Sequence, residues 1–130
     1  MRARPLSPHL SIYRMTRYSL VTSFANRLAG LLLSVGFLAF IYWLTALARG
    51  ARVYARAQEL LGSGLAKLVY VAVIAAFCYH LLAGVRHLIW DTGRGLEKTQ
   101  SQRSAWLVVA AALVLAVVVL WWALRAREGA

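Results

Sequence analysis

Long apolar runs bounded by basic residues set the pattern of this chain. Between flanking charges, residues 28–48, 68–85 and 104–124 contain 21, 18 and 21 uncharged positions, and a helix that crosses a bilayer needs roughly 20 predominantly apolar residues. Polar side chains near a helix end can face protein or reach back to the interface, which extends the first helix to about Ser19 and the second to about Trp90. The pattern predicts an all-α integral membrane protein with three transmembrane helices near 19–48, 63–91 and 104–125, forming a single membrane domain over residues 1–130. Leu61-Gly62-Ser63-Gly64 breaks the chain before the second span. Asp91-Thr92-Gly93-Arg94-Gly95 closes that span with glycines suited to a helix C-terminus. Residues 1–18, with Pro5 and Pro8, are expected to run irregular or extended at the interface.

Within these runs the polar positions are ordered. His80, Gly84, His87 and Asp91 stand at i, i+4, i+7 and i+11, so at about 100° per residue they share one face of the second helix. Ser23, Asn26, Arg27, Gly30 and Ser34 stand at i, i+3, i+4, i+7 and i+11 of the first. Polar groups are costly in lipid, so the two seams are expected to face each other or a shared cavity. Gly84, one turn from His80, leaves room for a flat ligand or another backbone. The third helix holds no strong polar group between Trp106 and Leu124 and reads as scaffold, with Trp106, Trp121 and Trp122 near its ends as an aromatic belt.

Composition agrees with this picture: 62% of residues are hydrophobic and the mean hydropathy is +0.65. The net charge of +11 at first suggests a nucleic-acid partner, but the basic residues bracket the apolar runs, where they meet lipid headgroups or acidic protein surface. No nucleic acid is expected. Cys78, the single cysteine, cannot form an internal disulfide and reads as a small buried residue. The first 18 residues carry four arginines and no apolar core, unlike a signal peptide, so an uncleaved inner-membrane protein is expected. Seven basic residues on one side of the membrane against six on the other do not decide its orientation.

Several chemistries fit the seams. A neutral imidazole at His80 can ligate haem iron, hydrogen-bond a neighbouring helix or relay protons, and position alone favours the helix contact. If His80 holds haem, His87 cannot be the second axial ligand. Seven residues at 1.5 Å put the two about 10 Å apart along the axis, whereas nitrogens on opposite sides of one iron are about 4 Å apart. His9 lies outside the membrane, so a six-coordinate haem requires a histidine of another chain. Arg27, about three turns into its helix, needs an anion, a carbonyl or water, or else snorkels to the helix end. Arg86 and Asp91 are expected in local ion pairs near the boundary. No nucleophile–base pair, metal-ligand cluster or phosphate loop is apparent.

Three segments carry a resemblance: Arg4-Pro5-Leu6-Ser7-Pro8-His9-Leu10-Ser11-Ile12-Tyr13, Ser23 to Gly30 (SFANRLAG) and His80 to Asp91 (HLLAGVRHLIWD). In these the chain resembles the cytochrome b membrane-anchor subunit of succinate dehydrogenase (succinate:quinone oxidoreductase, complex II), over nearly its whole length. The resemblance implies half of a haem-binding anchor bundle, completed by a second hydrophobic anchor subunit and joined to a flavoprotein subunit and an iron-sulfur subunit. It implies His80 as an axial ligand of haem b, with Asn26, Arg27, Gly84 and His87 as candidates for propionate contacts or support. It places Ser23 and Arg27 at a ubiquinone pocket, where Ser23 would hydrogen-bond a quinone oxygen and Arg27 would stabilise negative charge during reduction. Asp91 is a candidate for proton delivery. It also implies a cytoplasmic N-terminus in a bacterial inner membrane, ahead of a mitochondrial one. Where many members have His-Arg, this chain has Asn26-Arg27; Asn still donates a hydrogen bond but carries no proton charge.

The chain itself is expected to be a non-catalytic subunit. A small channel or transporter subunit using the same seams, and a haem-free structural anchor, are the competing readings.

Overall fold

The computed structural model describes the backbone of residues 17–128 and the side chains of residues 21–126. The interfacial segment expected over residues 1–18 therefore lies almost wholly outside the described residues, as does His9. Four helices follow: α1 (Arg17–Ala48), α2 (Ala51–Leu61), α3 (Gly64–Asp91) and α4 (Lys98–Glu128). Three of them contain stretches long and apolar enough to cross a membrane, Val21–Ala48, Gly64–Asp91 and Lys98–Ala126.

The ends of these helices follow from local chemistry. Gly50, with φ 98°, turns the chain between α1 and α2, a conformation that glycine adopts without penalty. Ser63 caps α3, its hydroxyl accepting from the Ala66 amide at 3.3 Å. At the other end Gly93, with φ 78°, donates its amide to the Trp90 carbonyl at 2.8 Å, so the glycine-rich exit terminates α3 as the pattern predicts. α4 begins six residues before the expected Ser104. Hydropathy marks only the part of a helix that meets lipid, whereas Lys98, Gln100, Gln102 and Arg103 are good helix formers in an aqueous turn. α2 was not visible as an apolar run because it is amphipathic. Val53, Ala57, Leu60 and Leu61 lie along one side and Arg52, Arg56 and Glu59 along the other.

α3 is the central element, packed on α1 along one side and on α4 along the other, while α1 and α4 scarcely meet. Small residues make this closeness possible. Cys78 on α3 is buried with Ala112 and Ala116 of α4, and Ala29, Ala46, Ala57, Ala76, Ala83 and Ala105 are the other buried small side chains among the described residues. Without a hydrophobic driving force in lipid, such close van der Waals packing is what holds transmembrane helices together. The large apolar side chains point outward instead, among them Trp106, Trp121 and Trp122, each well over half exposed, as expected of residues facing lipid and its interfaces.

Candidate functional site

The start of α1, the end of α3 and the start of α4 enclose a cavity of ≈ 240 Å³. α1 contributes Thr22, Ser23, Asn26 and Arg27; α3 contributes Tyr79, Ala83, Arg86, His87 and Trp90; α4 contributes Ser101, Ala105 and Val108. Three of the residues singled out on the first helix thus meet one of those on the second. The Tyr79 hydroxyl donates to the Thr22 carbonyl at 3.2 Å and braces the two walls.

The seam on α3 divides. On a wheel of 100° per residue, Tyr79, Ala83, Arg86 and Trp90 centre about 110° away from His80, Gly84 and Asp91, and it is the first group that lines the cavity. His87 sits between the two faces and reaches the cavity. Gly84 and Asp91 are exposed, and a Cβ at Gly84 would meet nothing of this chain within 4 Å. The close approach that Gly84 was expected to admit is therefore not made by any described residue.

His80 packs against α1. Its Nδ1 lies 3.3 Å from the Asn26 carbonyl oxygen, and a Cβ at Gly30 would stand 3.5 Å from its Cε1. A carbonyl only accepts, so Nδ1 carries the proton and Nε2 keeps a lone pair available to a metal. Backbone carbonyls fix ligating histidines in this way. Beside it the Asn26 Oδ1 is buried and has no hydrogen-bond partner among the described residues. A buried acceptor left open costs about 1–3 kcal/mol.

His87 shows the same tautomer by another route. Its Nδ1 lies 2.8 Å from the Ala83 carbonyl, one turn back along its own helix, and its ring meets the edge of Trp90 at 5.1 Å between centroids. Nε2 is again the free nitrogen.

Arg86 is only 7% exposed and reaches α4. Its Nε donates to Ser104 Oγ at 2.9 Å, and its Nη2 to the Ser101 carbonyl at 2.6 Å and Ser101 Oγ at 3.1 Å. Its guanidinium also lies 4.0 Å from the Trp90 ring centre, within cation–π range. These partners come from the polar turns of α4 that precede its apolar run, which is why the third helix read as scaffold alone. Ser34, counted on the polar face of α1, spends its hydroxyl on the Gly30 carbonyl at 3.0 Å and takes no part in the cavity.

The residues match a known family along most of the chain. Residues 1–119 fit the model described as succinate dehydrogenase/fumarate reductase transmembrane subunit. The chain is 38% identical over 117 residues to the succinate dehydrogenase cytochrome b556 subunit of Paracoccus denitrificans, covering 90% of this chain and 89% of that one. It is 34% identical over 118 residues to the subunit of the same name in Rickettsia typhi, covering 91% and 90%. The mitochondrial succinate dehydrogenase cytochrome b560 subunit of Mus musculus is 37% identical over 117 residues, covering 88% of this chain and 66% of that one. Three apolar helices joined to matches of this extent lead to one conclusion: the chain belongs to the family of succinate dehydrogenase cytochrome b subunits, multi-pass membrane proteins.

Proposed function

We propose that this chain anchors succinate:quinone oxidoreductase in the bacterial inner membrane with its N-terminus in the cytoplasm, binds haem b through His80, and forms one wall of a ubiquinone-reduction site. The observation that carries this reading is the joint one at α1 and α3: Ser23, Asn26, Arg27 and His87 border one cavity, and His80, its Nδ1 at the Asn26 carbonyl, keeps Nε2 free. Haem b, when bound, supplies a one-electron reservoir.

The residues of the chain then divide the work. His80 offers Nε2 to the iron, and the Asn26 carbonyl keeps its ring oriented. A second nitrogen for the iron would come from the second anchor subunit, and Gly84 leaves the adjoining face of α3 open. Arg27 and the Asn26 amide stand where they can meet propionates or the substrate. Ser23 donates to a quinone oxygen, and the Arg27 guanidinium favours negative charge growing on it as electrons arrive from the iron-sulfur subunit. The flavoprotein subunit oxidises succinate, and this chain contributes groups to the quinone reduction.

Two substitutions test the reading in the assembled complex. His80→Ala should remove or alter the reduced-minus-oxidised haem b band, and an unchanged spectrum overturns the ligand assignment. Arg27→Leu should depress quinone reduction while succinate oxidation by an artificial dye continues; equal loss of both assigns Arg27 to assembly instead. A channel or transporter subunit would show no such band in either complex.

A further inference from the structure

We propose that His87 is the group that hands a proton to the quinone oxygen in this cavity, cycling its charge at Nε2 while Nδ1 stays bonded to Ala83. This rests on the ubiquinone reading of the cavity. Reduction of a quinone to a quinol takes two electrons, here from the iron-sulfur subunit, and two protons. A proton donor must reach the substrate on one side and exchange with water on the other.

His87 meets both demands. It lines the cavity with Ser23 and Arg27, and it lies one helical turn from the end of α3 at Asp91, toward the membrane boundary. The Nδ1–H donated to the Ala83 carbonyl at 2.8 Å is present in both the neutral ring and the imidazolium. The ring can therefore gain and lose its other proton without turning. The Trp90 edge holds it from the side, and Trp90 is itself stacked by Arg86, which α4 anchors through Ser101 and Ser104. In the step, the Nε2–H bond breaks, an O–H bond forms on the reduced quinone, and the imidazolium becomes neutral. A proton from the aqueous side restores it.

The surrounding charges suit a donor. Arg27 of α1 and Arg86 of α3 line the same cavity, Tyr79 contributes a phenol, and α4 brings Ser101 but no charged side chain. Among the described residues the lining carries two guanidiniums and no carboxylate, which attract an anionic oxygen to the cavity. Asp91, the earlier candidate for this role, is exposed and not part of the lining. It stands one turn beyond His87, where it can pass protons inward from water.

The test uses the assembled four-subunit complex. In His87→Gln the quinone-reductase kcat should fall about 100-fold, the range expected for loss of a positioned general acid, with quinone KM, dye reduction and the haem spectrum retained and the dependence of kcat on pH changed. In His87→Gly, added imidazole should restore turnover. Wild-type kcat with an unchanged pH profile in His87→Gln overturns the proposal, as does a loss shared equally by dye reduction that imidazole fails to relieve. Ser23→Ala and Arg27→Leu separate the two levels. If these variants lose quinone reduction while His87→Gln keeps it, only the His87 assignment falls; if they also keep it, the quinone reading of the cavity falls with it.

Discussion

His80 depends on what is absent opposite it. Gly30 lies under its imidazole, with room for a Cβ at 3.5 Å from Cε1 and little beyond. Gly30→Ala should therefore be accommodated at ordinary contact distance. Gly30→Leu should drive the ring off the Asn26 carbonyl, and the haem b band should shift or weaken although His80, the proposed ligand, remains. An unaltered spectrum in Gly30→Leu would show that the ring is oriented from elsewhere. The seam containing His80 was legible because an imidazole inside an apolar run is conspicuous, and so was Arg27. Arg86 was conspicuous too, but its partners were not. Ser101 and Ser104 are ordinary residues at the edge of a run, and only the packing of α4 on α3 shows that they hold a buried guanidinium.

At the scale of helices, hydropathy located the three spans to within a few residues wherever lipid begins at a helix end, and missed where a helix continues into water, as at Lys98–Ser104. It also missed α2, whose alternating faces average to neither polar nor apolar. How α1 and α3 approach is written in single positions that periodicity does not mark. At Gly36 a Cβ would stand 2.6 Å from Val73 Cγ1 and 3.1 Å from Cγ2. Rotating Val73 exchanges one methyl for the other, because a β-branched side chain is crowded in every rotamer. Gly36→Ala should force the two helices apart at a cost of about 1–3 kcal/mol, read as a lower melting temperature of the detergent-solubilised complex. Adding Val73→Ala should return most of that loss, since the smaller side chain clears the contact. A double variant no more stable than Gly36→Ala alone would place the strain elsewhere.

Among the described residues the three spanning helices form a sheaf with α3 between α1 and α4, and the outer surface is apolar on nearly every side, from Phe24 and Phe37 on α1 to Leu88 on α3 and Val117 on α4. Lipid accounts for much of that surface, but it does not account for the face of α3 that carries His80, Gly84 and Asp91. There the chain presents a histidine with a free nitrogen beside a glycine with open space above it. The chain has three histidines: His87 is about 10 Å along the axis from His80, and His9 belongs to the segment ahead of α1. On the proposed reading of His80 as a haem ligand, the second nitrogen for the iron comes from another chain. Expressed without the second anchor subunit and held monomeric in detergent, this chain should bind haem weakly and leave the iron with a single protein nitrogen, giving a high-spin signal in electron paramagnetic resonance. Co-expression with the second anchor subunit should convert it to the low-spin, six-coordinate form, and His80→Ala should abolish that conversion. A low-spin haem in the monomeric chain would mean that both nitrogens come from this sequence, against the separation that α3 imposes.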